Sequence, residues 1–300
     1  MQDISFDFNT MTGGQNPFEE KQKSVDTRFF VLPKDQNGNG VAVIRFLPDG
    51  DIRENGQMGT IQRIFKINYT NTKTKRFINE LSPQTIGEKC PFFDEWQKHW
   101  NAGNKEEAKK FGRTTRYFTN IKVLKCPADP SLEGNIYLFD MSYTMAEKIK
   151  GLISPSEEEI AIGKKPMNLF NPLKGHNFIL KSKKAPTGFI SYDDSQPDPN
   201  ETAIYSSKEE AIEEIKTKCY KLEEFLKPEA YKSYDELRNL IDEIIYNRSS
   251  EPKTAKVEEV DTLLTDTSSS VETVVEEVKP EVPQTPKTDD LDALIADLTK

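Results

Sequence analysis

The sequence predicts a mainly β protein whose strands are interrupted and followed by helices. Short runs rich in β-branched and aromatic residues recur between Gly, Pro, Asn and Asp, which is the composition of strands bounded by turns. Two stretches within this strand-rich part have helical apolar spacing, and two capped amphipathic segments follow it. Together these patterns favour a sheet with inserted helices over a helical bundle.

The first strand is the clearest of the predicted elements. Asn37-Gly38-Asn39-Gly40 predicts a turn, Val41–Leu47 a strand, and Pro48-Asp49-Gly50 a second turn. Five more short runs of the same character predict the remaining strands: Ile61 to Tyr69, Arg76 to Asn79, Tyr117 to Lys125, Asn135 to Phe139 and Asn177 to Lys183.

Two helices are predicted inside the strand-rich part. Phe93, Trp96 and Trp100 fall on one helical face. Thr144-Met145-Ala146-Glu147 has the pattern of a capping box before an apolar stripe.

Two further helices are predicted after the strands. One begins at Ser207 and carries the apolar stripe Ile212, Ile215, Cys219, Leu222 and Leu226, stopping before Pro228. The other has a capping sequence from Ser233 to Glu236. Its apolar residues are expected to face inward: Leu237, Leu240, Ile241, Ile244 and Ile245. We expect these two helices to form a hairpin packed against the body.

Composition divides the chain into three parts. Residues 1–27 form a polar, glycine-broken arm that we expect to be mobile, and residues 28–248 form the folded body. Residues 249–300 are rich in Ser, Thr, Glu, Val and Pro, which predicts a disordered tail. The tip of the tail differs, because apolar residues with helical spacing alternate with acids there: Asp289, Asp290, Leu291, Leu294, Ile295 and Leu298.

Several classes of protein are disfavoured. A mean hydropathy of -0.70 and the lack of an apolar run of about 20 residues exclude a membrane-spanning chain. The start of the sequence has no signal-peptide pattern and the three cysteines are far apart, so we expect a cytosolic protein without disulfides. With two histidines and no nucleophile-elbow or phosphate-loop motif, an enzyme is not expected.

Charge is distributed unevenly along the chain. The net charge is -9 overall, yet Ile61 to Lys125 has fourteen basic and six acidic residues, and Glu251 to Lys300 has thirteen acidic and five basic. A basic body segment is thus matched by an acidic tail of equal and opposite charge.

The basic residues alternate with aromatic ones. Single-stranded nucleic acid presents phosphates that attract cations and bare bases that stack on rings, so this alternation predicts a binding groove. The alternative is that the rings belong to the core and the lysines to a solvated face. The residues concerned are Arg63, Lys66, Tyr69, Lys75, Arg76, Arg113, Arg116, Tyr117, Phe118, Lys181, Lys183, Phe189 and Tyr192.

Four stretches in the same order resemble the gene 32 single-stranded DNA-binding proteins of T-even-like phages. They are the run from Asn37 to Pro48, Cys90-Pro91, Tyr117 to Val123 with Pro127-Ala128 and Glu133-Gly134 beyond it, and Gly188 to Asp193. The similarity runs with gaps from about Asn37 to Ser195, and the helices and acidic tail continue it in kind.

The resemblance implies an OB-fold core, a five-stranded barrel, whose cleft binds single-stranded DNA during phage replication, recombination and repair in the cytoplasm of the infected bacterial host. By position it implies that Tyr117 and Phe118, Phe139, and the pair Phe189 and Tyr192 are cleft rings. It also implies that Arg113 and Arg116 are the basic cluster before the aromatic pair. A rival from another class is an OB-fold adaptor or scaffold that binds no nucleic acid.

The chain departs from the family at its zinc site. Relatives hold zinc through three cysteines and a histidine, but here only Cys90 is kept, and Glu80 stands where another cysteine is expected. One thiolate does not make a tetrahedral site. We therefore expect no zinc or other cofactor, and an apolar plug of Phe92, Phe93, Trp96 and Trp100 instead.

The two ends of the chain carry the implied protein contacts. Lys21, Lys23 and Ser24 match the family's self-association motif only in part, so cooperative binding and a mere disordered arm both stay open. The acidic tail is expected to compete with DNA for the basic cleft. When DNA displaces it, its tip is expected to recruit replication and recombination proteins as a transient helix; a purely solubilising tail is the alternative.

Overall fold

The computed structural model describes residues 26–51, 58–186 and 188–248. The predicted self-association residues Lys21, Lys23 and Ser24 and the whole acidic tail, with its tip, lie outside this part of the chain. Within it the protein is mainly β with helices, as the sequence predicts. None of the helices in these residues is long and apolar enough to cross a membrane.

Eight strands and six α-helices make up the described residues. The strands are β1 (Gly40–Leu47), β2 (Gln62–Thr70), β3 (Phe77–Leu81), β4 (Arg113–Lys125), β5 (Ile136–Ser142), β6 (Gly175–Lys184), β7 (Ile190–Ser191) and β8 (Gln196–Thr202). The helices are α1 (Pro91–Asn101), α2 (Lys105–Lys109), α3 (Tyr143–Ile153), α4 (Glu157–Ala161), α5 (Lys208–Lys218) and α6 (Tyr234–Leu240). All six predicted strands are present, and β7 and β8 are additional.

The folded body consists of two compact units that are each built from two stretches of chain. Of the described residues, the first unit contains 26–51, 58–63, 116–186 and 188–223, and the second contains 64–115 and 224–248.

An antiparallel sheet forms the first unit. Its central strand β1 pairs with β4, aligning Phe46 with Ile121, and with β6, aligning Val43 with Ile179. Strand β5 pairs with β4, while β7 and β8 pair with β6. Helix α3 covers this sheet through Met145 and Ile149. The core also includes Phe30, Leu32, Ile44, Val123, Phe139, Met141, Leu169, Phe178 and Leu180.

The side chain of Arg45 lies inside this unit. Arg45 on β1 is 0% exposed. Its Nη2 donates to Asn177 Oδ1 at 2.7 Å and to Thr202 Oγ1 at 2.6 Å, and its Nη1 donates to the Asn171 carbonyl at 2.8 Å. A buried guanidinium is tolerated only when its donors are satisfied. Arg45 therefore ties together β1, β6, β8 and the loop before β6.

The second unit packs helices on a hairpin. Strands β2 and β3 pair from Lys66 opposite Leu81 to Thr70 opposite Phe77. The apolar cluster contains Ile67, Ile78, Cys90, Phe92, Trp96, Ala108, Phe111, Leu237, Ile241 and Ile244. Trp96 stacks on Phe93 and Trp100, with ring centroids 5.7 and 5.3 Å apart. The predicted apolar plug is therefore present.

Two predicted helix boundaries are wrong. The N-cap of α3 is Ser142 and not Thr144, because the Ser142 side chain accepts the Met145 N–H. The helix capped by Ser207 ends at Lys218 and does not continue to Leu226. Beyond Lys218 the backbone N–H groups bond side chains distant in sequence. Tyr220 N donates to Asn120 Oδ1 at 2.9 Å, and Leu222 N donates to Asp49 Oδ1 at 3.1 Å.

The capping box at Ser233 is confirmed, and α6 continues as a turn of π-helix through Ile241–Ile245. Helix α5 belongs to the first unit and α6 to the second, so the hairpin between them stays a prediction.

Candidate nucleic-acid interface

The structure distributes the predicted binding residues over both units. Nine lie in the first unit: Arg63, Arg116, Tyr117, Phe118, Phe139, Lys181, Lys183, Phe189 and Tyr192. Five lie in the second: Lys66, Tyr69, Lys75, Arg76 and Arg113.

A cavity of about 490 Å³ in the first unit brings three of them together. Arg116 at the start of β4, Phe139 on β5 and Tyr192 after β7 all line it. Lys34 and Lys148 line it as well, although the sequence did not single them out. We call this space the Tyr192 cavity. It combines cations and aromatic rings within one compact unit.

Arg116 is held in place by a carboxylate. Its Nε lies 2.6 Å from Asp140 Oδ1, and its Nη2 donates to the Asp140 carbonyl at 3.0 Å. The side chains of the pair are only 30% and 24% exposed. Charge-assisted bonds of this kind fix the orientation of a guanidinium, so Arg116 is a preset cation at the cavity wall.

Tyr192 lies beneath a lysine. The Nζ of Lys34 is 5.6 Å from the centroid of the Tyr192 ring, within the range of a cation–π interaction. The neighbouring Phe189 sits in the loop between β6 and β7 and is 77% exposed. This exposed ring is available to stack on a base.

The lysines of β6 differ in their surroundings. Lys183 forms an ion pair with Asp194 at 2.8 Å. The hydrogen bond and charge of Asp194 raise the pKa of Lys183, and the same hydrogen bond lowers the pKa of Asp194. Lys181 lies two residues earlier on the same strand, and its N–H donates to Ser195 Oγ at 3.0 Å.

Tyr117 and Phe118 point to opposite faces of β4, because side chains alternate along a strand. Tyr117 lines a second cavity of about 320 Å³ together with Ile61, Ile149 and Ile153; we call it the Tyr117 cavity. Phe118 is 1% exposed and packs edge-on against Phe29, with ring centroids 5.0 Å apart. The structure thus does not bring this predicted pair into one cavity.

Phe118 and Phe139 are both largely buried, the latter with 8% of its surface exposed. Phe118 lines neither cavity, and Phe139 lines the Tyr192 cavity with little of its surface exposed, so their stacking on bases stays a prediction. Arg63 is exposed on β2.

In the second unit the predicted residues have structural partners. The Arg113 guanidinium lies 3.7 Å from the centroid of the Phe65 ring, and Arg76 forms an ion pair with Glu243 at 2.9 Å. Tyr69 packs against the apolar cluster of this unit. Lys66 is half-buried, and Lys75 is exposed in the turn between β2 and β3, with a left-handed φ of 59°.

Lys148 is one of the two cavity lysines that the sequence analysis did not identify. Its Nζ donates to the carbonyls of Asp193 and, at 3.1 Å, of Ser195. Thr144 and Lys148 are four residues apart on α3, so they share one helix face, and both line the Tyr192 cavity. That spacing is the one signal in the sequence that could have identified Lys148.

Cys90 is a buried thiol. Burial raises the pKa of Cys90, and the Ser82 hydroxyl lies 3.8 Å from its sulfur. In the residues that the structure describes, no group of three or more His, Cys, Asp or Glu side chains could hold a metal ion. Cys126 and Cys219 are likewise buried.

Known proteins show clear similarity to this chain. The model of the family "gp32 DNA binding protein like" matches residues 38–245. A protein named single-stranded DNA-binding protein from Enterobacteria phage T4 is 30% identical over 227 residues, which cover 74% of this chain and 71% of that relative. The protein of the same name from Enterobacteria phage T2 is 28% identical over 240 residues, covering 78% and 74%.

Proposed function

The chain belongs to the gp32 DNA binding protein like family, and from this premise we propose that it binds single-stranded DNA without sequence preference. Its proposed setting is DNA replication, recombination and repair of a phage, in the cytoplasm of the infected bacterial host. It acts as a binding protein and not as an enzyme.

The Tyr192 cavity is the observation that supports this function most directly. Its wall combines Arg116 and Lys34, which attract phosphates, with the ring of Tyr192, and the open ring of Phe189 lies two residues before the cavity-lining Ser191. Stacking on an aromatic ring contributes about 1–3 kcal/mol per base and tolerates any base, because every base has a π-face. Duplex DNA hides those faces, so rings of this kind favour unpaired strands.

A direct titration tests the proposal. Fluorescence anisotropy of a labelled oligothymidine and of a duplex of equal length, each titrated with the full chain at one salt concentration, gives the two affinities. We expect the single strand to bind at least about a hundredfold more tightly, since the duplex loses the stacking of two or more bases. Equal affinities, or no binding to either, would leave the adaptor or scaffold as the better assignment.

The acidic tail supports a second part of the proposal. A segment with net charge -8, tethered to a body that binds phosphates, acts as a competing anion at high local concentration. We expect truncation after Arg248 to tighten binding to DNA, most strongly at low salt. Its tip, from Asp289 to Leu298, would dock on replication and recombination proteins as an amphipathic helix. Unchanged DNA affinity at low salt would contradict the competition.

Self-association on DNA is proposed for the arm. We expect deletion of residues 1–23 to lower the cooperativity of binding to a long single strand while leaving the affinity for a short oligomer unchanged. Unchanged cooperativity on the long strand would show that Lys21 and Lys23, which the deletion removes, play no part.

The finer structural assignments belong to the same proposal. They are a five-stranded OB barrel as the core of the folded body, a hairpin of α5 and α6, and the absence of zinc. The antiparallel pairing of β1 with both β4 and β6 supports the barrel. An experimental structure tests the first two, and about one equivalent of zinc in the purified protein would contradict the third.

A further inference from the structure

The turn that carries Tyr192 is tied to its unit from within and from β6. Ser195 N donates to the Tyr192 carbonyl at 3.0 Å, closing a tight turn. Ser195 Oγ accepts the Lys181 N–H at 3.0 Å and lies 3.1 Å from the Lys181 carbonyl. Ser195 is 2% exposed. The turn from Tyr192 to Ser195 is thus fixed to β6 towards its far end, through Ser195 and through the ion pair of Asp194 with Lys183.

The near end of this turn has little sheet to support it. Strand β7 is two residues long, Ile190–Ser191, and Phe189 before it is open to water. So short a strand makes few ladder hydrogen bonds and does not fix the direction of the side chain that follows it. A contact from another element would therefore add support to this turn.

Lys148 supplies that support from a different element. Its ammonium donates to the Asp193 carbonyl and to the Ser195 carbonyl. It projects from α3, which the core residues Met145 and Ile149 and the Ser142 cap anchor firmly. Two carbonyls of one turn are therefore bound to a rigid helix through a single side chain.

We propose that Lys148 is a positioning residue, which holds the turn from Tyr192 to Ser195 against α3 so that the Tyr192 ring faces the cavity in which DNA binds. This inference rests on the proposed function. The competing role is direct binding of a phosphate. Two of the three donors of the ammonium are already directed at carbonyls, which favours positioning over phosphate binding.

Other charges near the turn do not duplicate this contact. Lys34 lies over the Tyr192 ring, and Lys183 binds the Asp194 carboxylate. Arg116 is bound to Asp140 across the cavity. Only the Lys148 bonds address the turn's backbone from α3 among the residues that the structure describes.

The first experiment separates positioning from phosphate binding. Lys148→Met removes the donors and keeps a long unbranched chain, Lys148→Arg keeps donors, and Lys174→Met, at an exposed lysine outside the cavity, controls for loss of one charge. Oligothymidine affinity is measured for each protein over a range of salt concentrations. We expect Lys148→Met to lose about tenfold in affinity, the low end of one stacked base, with the salt slope unchanged. Lys148→Arg should recover most of the loss.

The second experiment uses free protein and needs no DNA. Amide hydrogen exchange of residues 190–195 should accelerate at least about tenfold in Lys148→Met and not in Lys174→Met, because the turn loses its anchor. Ser195→Ala, which loosens the same turn from β6, should give the same pattern of exchange and affinity. It keeps the test valid if Lys148→Met folds poorly.

Two results would overturn the inference. One is a salt slope that flattens by about 0.7 in Lys148→Met, the value for one lost phosphate contact on a single strand, with unchanged exchange. The other is faster exchange with unchanged affinity, which would make the bonds structural only. Failure of the unsubstituted protein to bind DNA would instead reject the proposed function, and the exchange experiment would still report on the turn.

Discussion

The two compact units use aromatic residues in opposite ways. In the second unit, Trp96 and its stacked neighbours Phe93 and Trp100 belong to one apolar cluster. In the first unit, Phe189 is exposed and Tyr192 lies at a cavity beside cations. The difference follows from the elements that carry the rings. Helical spacing turns three rings towards one face, whereas a short hairpin loop directs single rings outward.

This contrast shows that aromatic content alone does not locate a binding surface. An aromatic residue near basic residues indicates a binding surface when two conditions are met. It lies in a loop, and the sequence around it has no other apolar residues at helical spacing. The same ring at i, i+3 and i+4 on a helix indicates a core.

The largest expected effect tests the buried side of the contrast. Trp96→Ala should lower the free energy of unfolding by about 3–5 kcal/mol, because it removes a large buried ring and leaves a cavity. Phe189→Ala should change it by less than about 0.5 kcal/mol, since its ring is exposed. Chemical denaturation of both variants measures the difference, and similar losses of stability would contradict the assignment of the two rings.

Acid sensitivity compares a largely buried, ion-paired carboxylate from each unit. Burial would raise the pKa of Glu214 in the first unit, but hydrogen bonds from Lys122, at 2.6 Å, and Lys218 outweigh it and lower the pKa to about 2. Glu214 then adds stability that is complete above pH 4.5 and is lost as the pH falls towards 2. Glu214→Gln should remove on the order of 2 kcal/mol of this pH-dependent stability.

Glu95 is the matched carboxylate of the second unit. Burial would raise its pKa as well, yet hydrogen bonds from Arg238, at 2.6 Å, and Tyr246 lower it. Its contribution is likewise lost on acidification, in the window below its ordinary pKa of 4.5. Denaturation of Glu214→Gln and Glu95→Gln between pH 5 and 3 should show a weaker pH dependence in both. An unchanged dependence in either would show that its ion pairs do not stabilise the fold.

Removing the exposed ring of Phe189 is expected to have a smaller effect, which appears in the affinity for DNA and not in stability. Phe189→Ala should weaken binding to oligothymidine by about 1–2 kcal/mol with the salt slope unchanged, because stacking involves no counterion. Ile162→Ala is the matched control, since Ile162 is 85% exposed and lies outside both cavities. Equal losses in the two variants would exclude a specific role for the ring.

The smallest expected effect is a change of slope. Arg116→Gln removes one fixed cation from the Tyr192 cavity, so the plot of log affinity against log salt should flatten by about 0.7. Lys174→Gln, at a side chain that is 78% exposed and lies outside the cavity, should leave the slope unchanged. A slope that Arg116→Gln does not alter would place the phosphates elsewhere.

Much of the fold was predictable because local signals and tertiary structure agree. Turn residues frame β1 on both sides, and the serines at 207 and 233 cap their helices as expected. Strand β8 was missed because Pro197 and Pro199 argue against a strand, although an edge strand tolerates them. The end of α5 at Lys218 depends on the side chains of Asn120 and Asp49, about 100 and 170 residues earlier in sequence. No local pattern contains that information.

The candidate site was predictable in composition but not in arrangement. Arg116, Phe139 and Tyr192 do meet at one cavity. Tyr117 and Phe118 are separated by the simple alternation of a strand, which the sequence could have shown. Lys34 reaches the cavity from the irregular segment before β1, and Lys148 reaches it from α3. Their role depends on their contacts, which are the Tyr192 ring for Lys34 and the carbonyls of Asp193 and Ser195 for Lys148. Counting charges along the sequence does not reveal these contacts.

The buried guanidinium of Arg45 limits which substitutions its neighbours can accept. A Cβ on Gly175 would lie 3.0 Å from Arg45 Nη1 and 2.4 Å from the Asn171 carbonyl, so the glycine and the arginine share one space. Lysine lacks the planar guanidinium whose donors reach Asn177 and Thr202 together. Removing any one of these partners leaves a buried positive charge with an unsatisfied donor. Among descendants of this chain, Arg45, Asn177 and Gly175 should therefore persist or be replaced as a set.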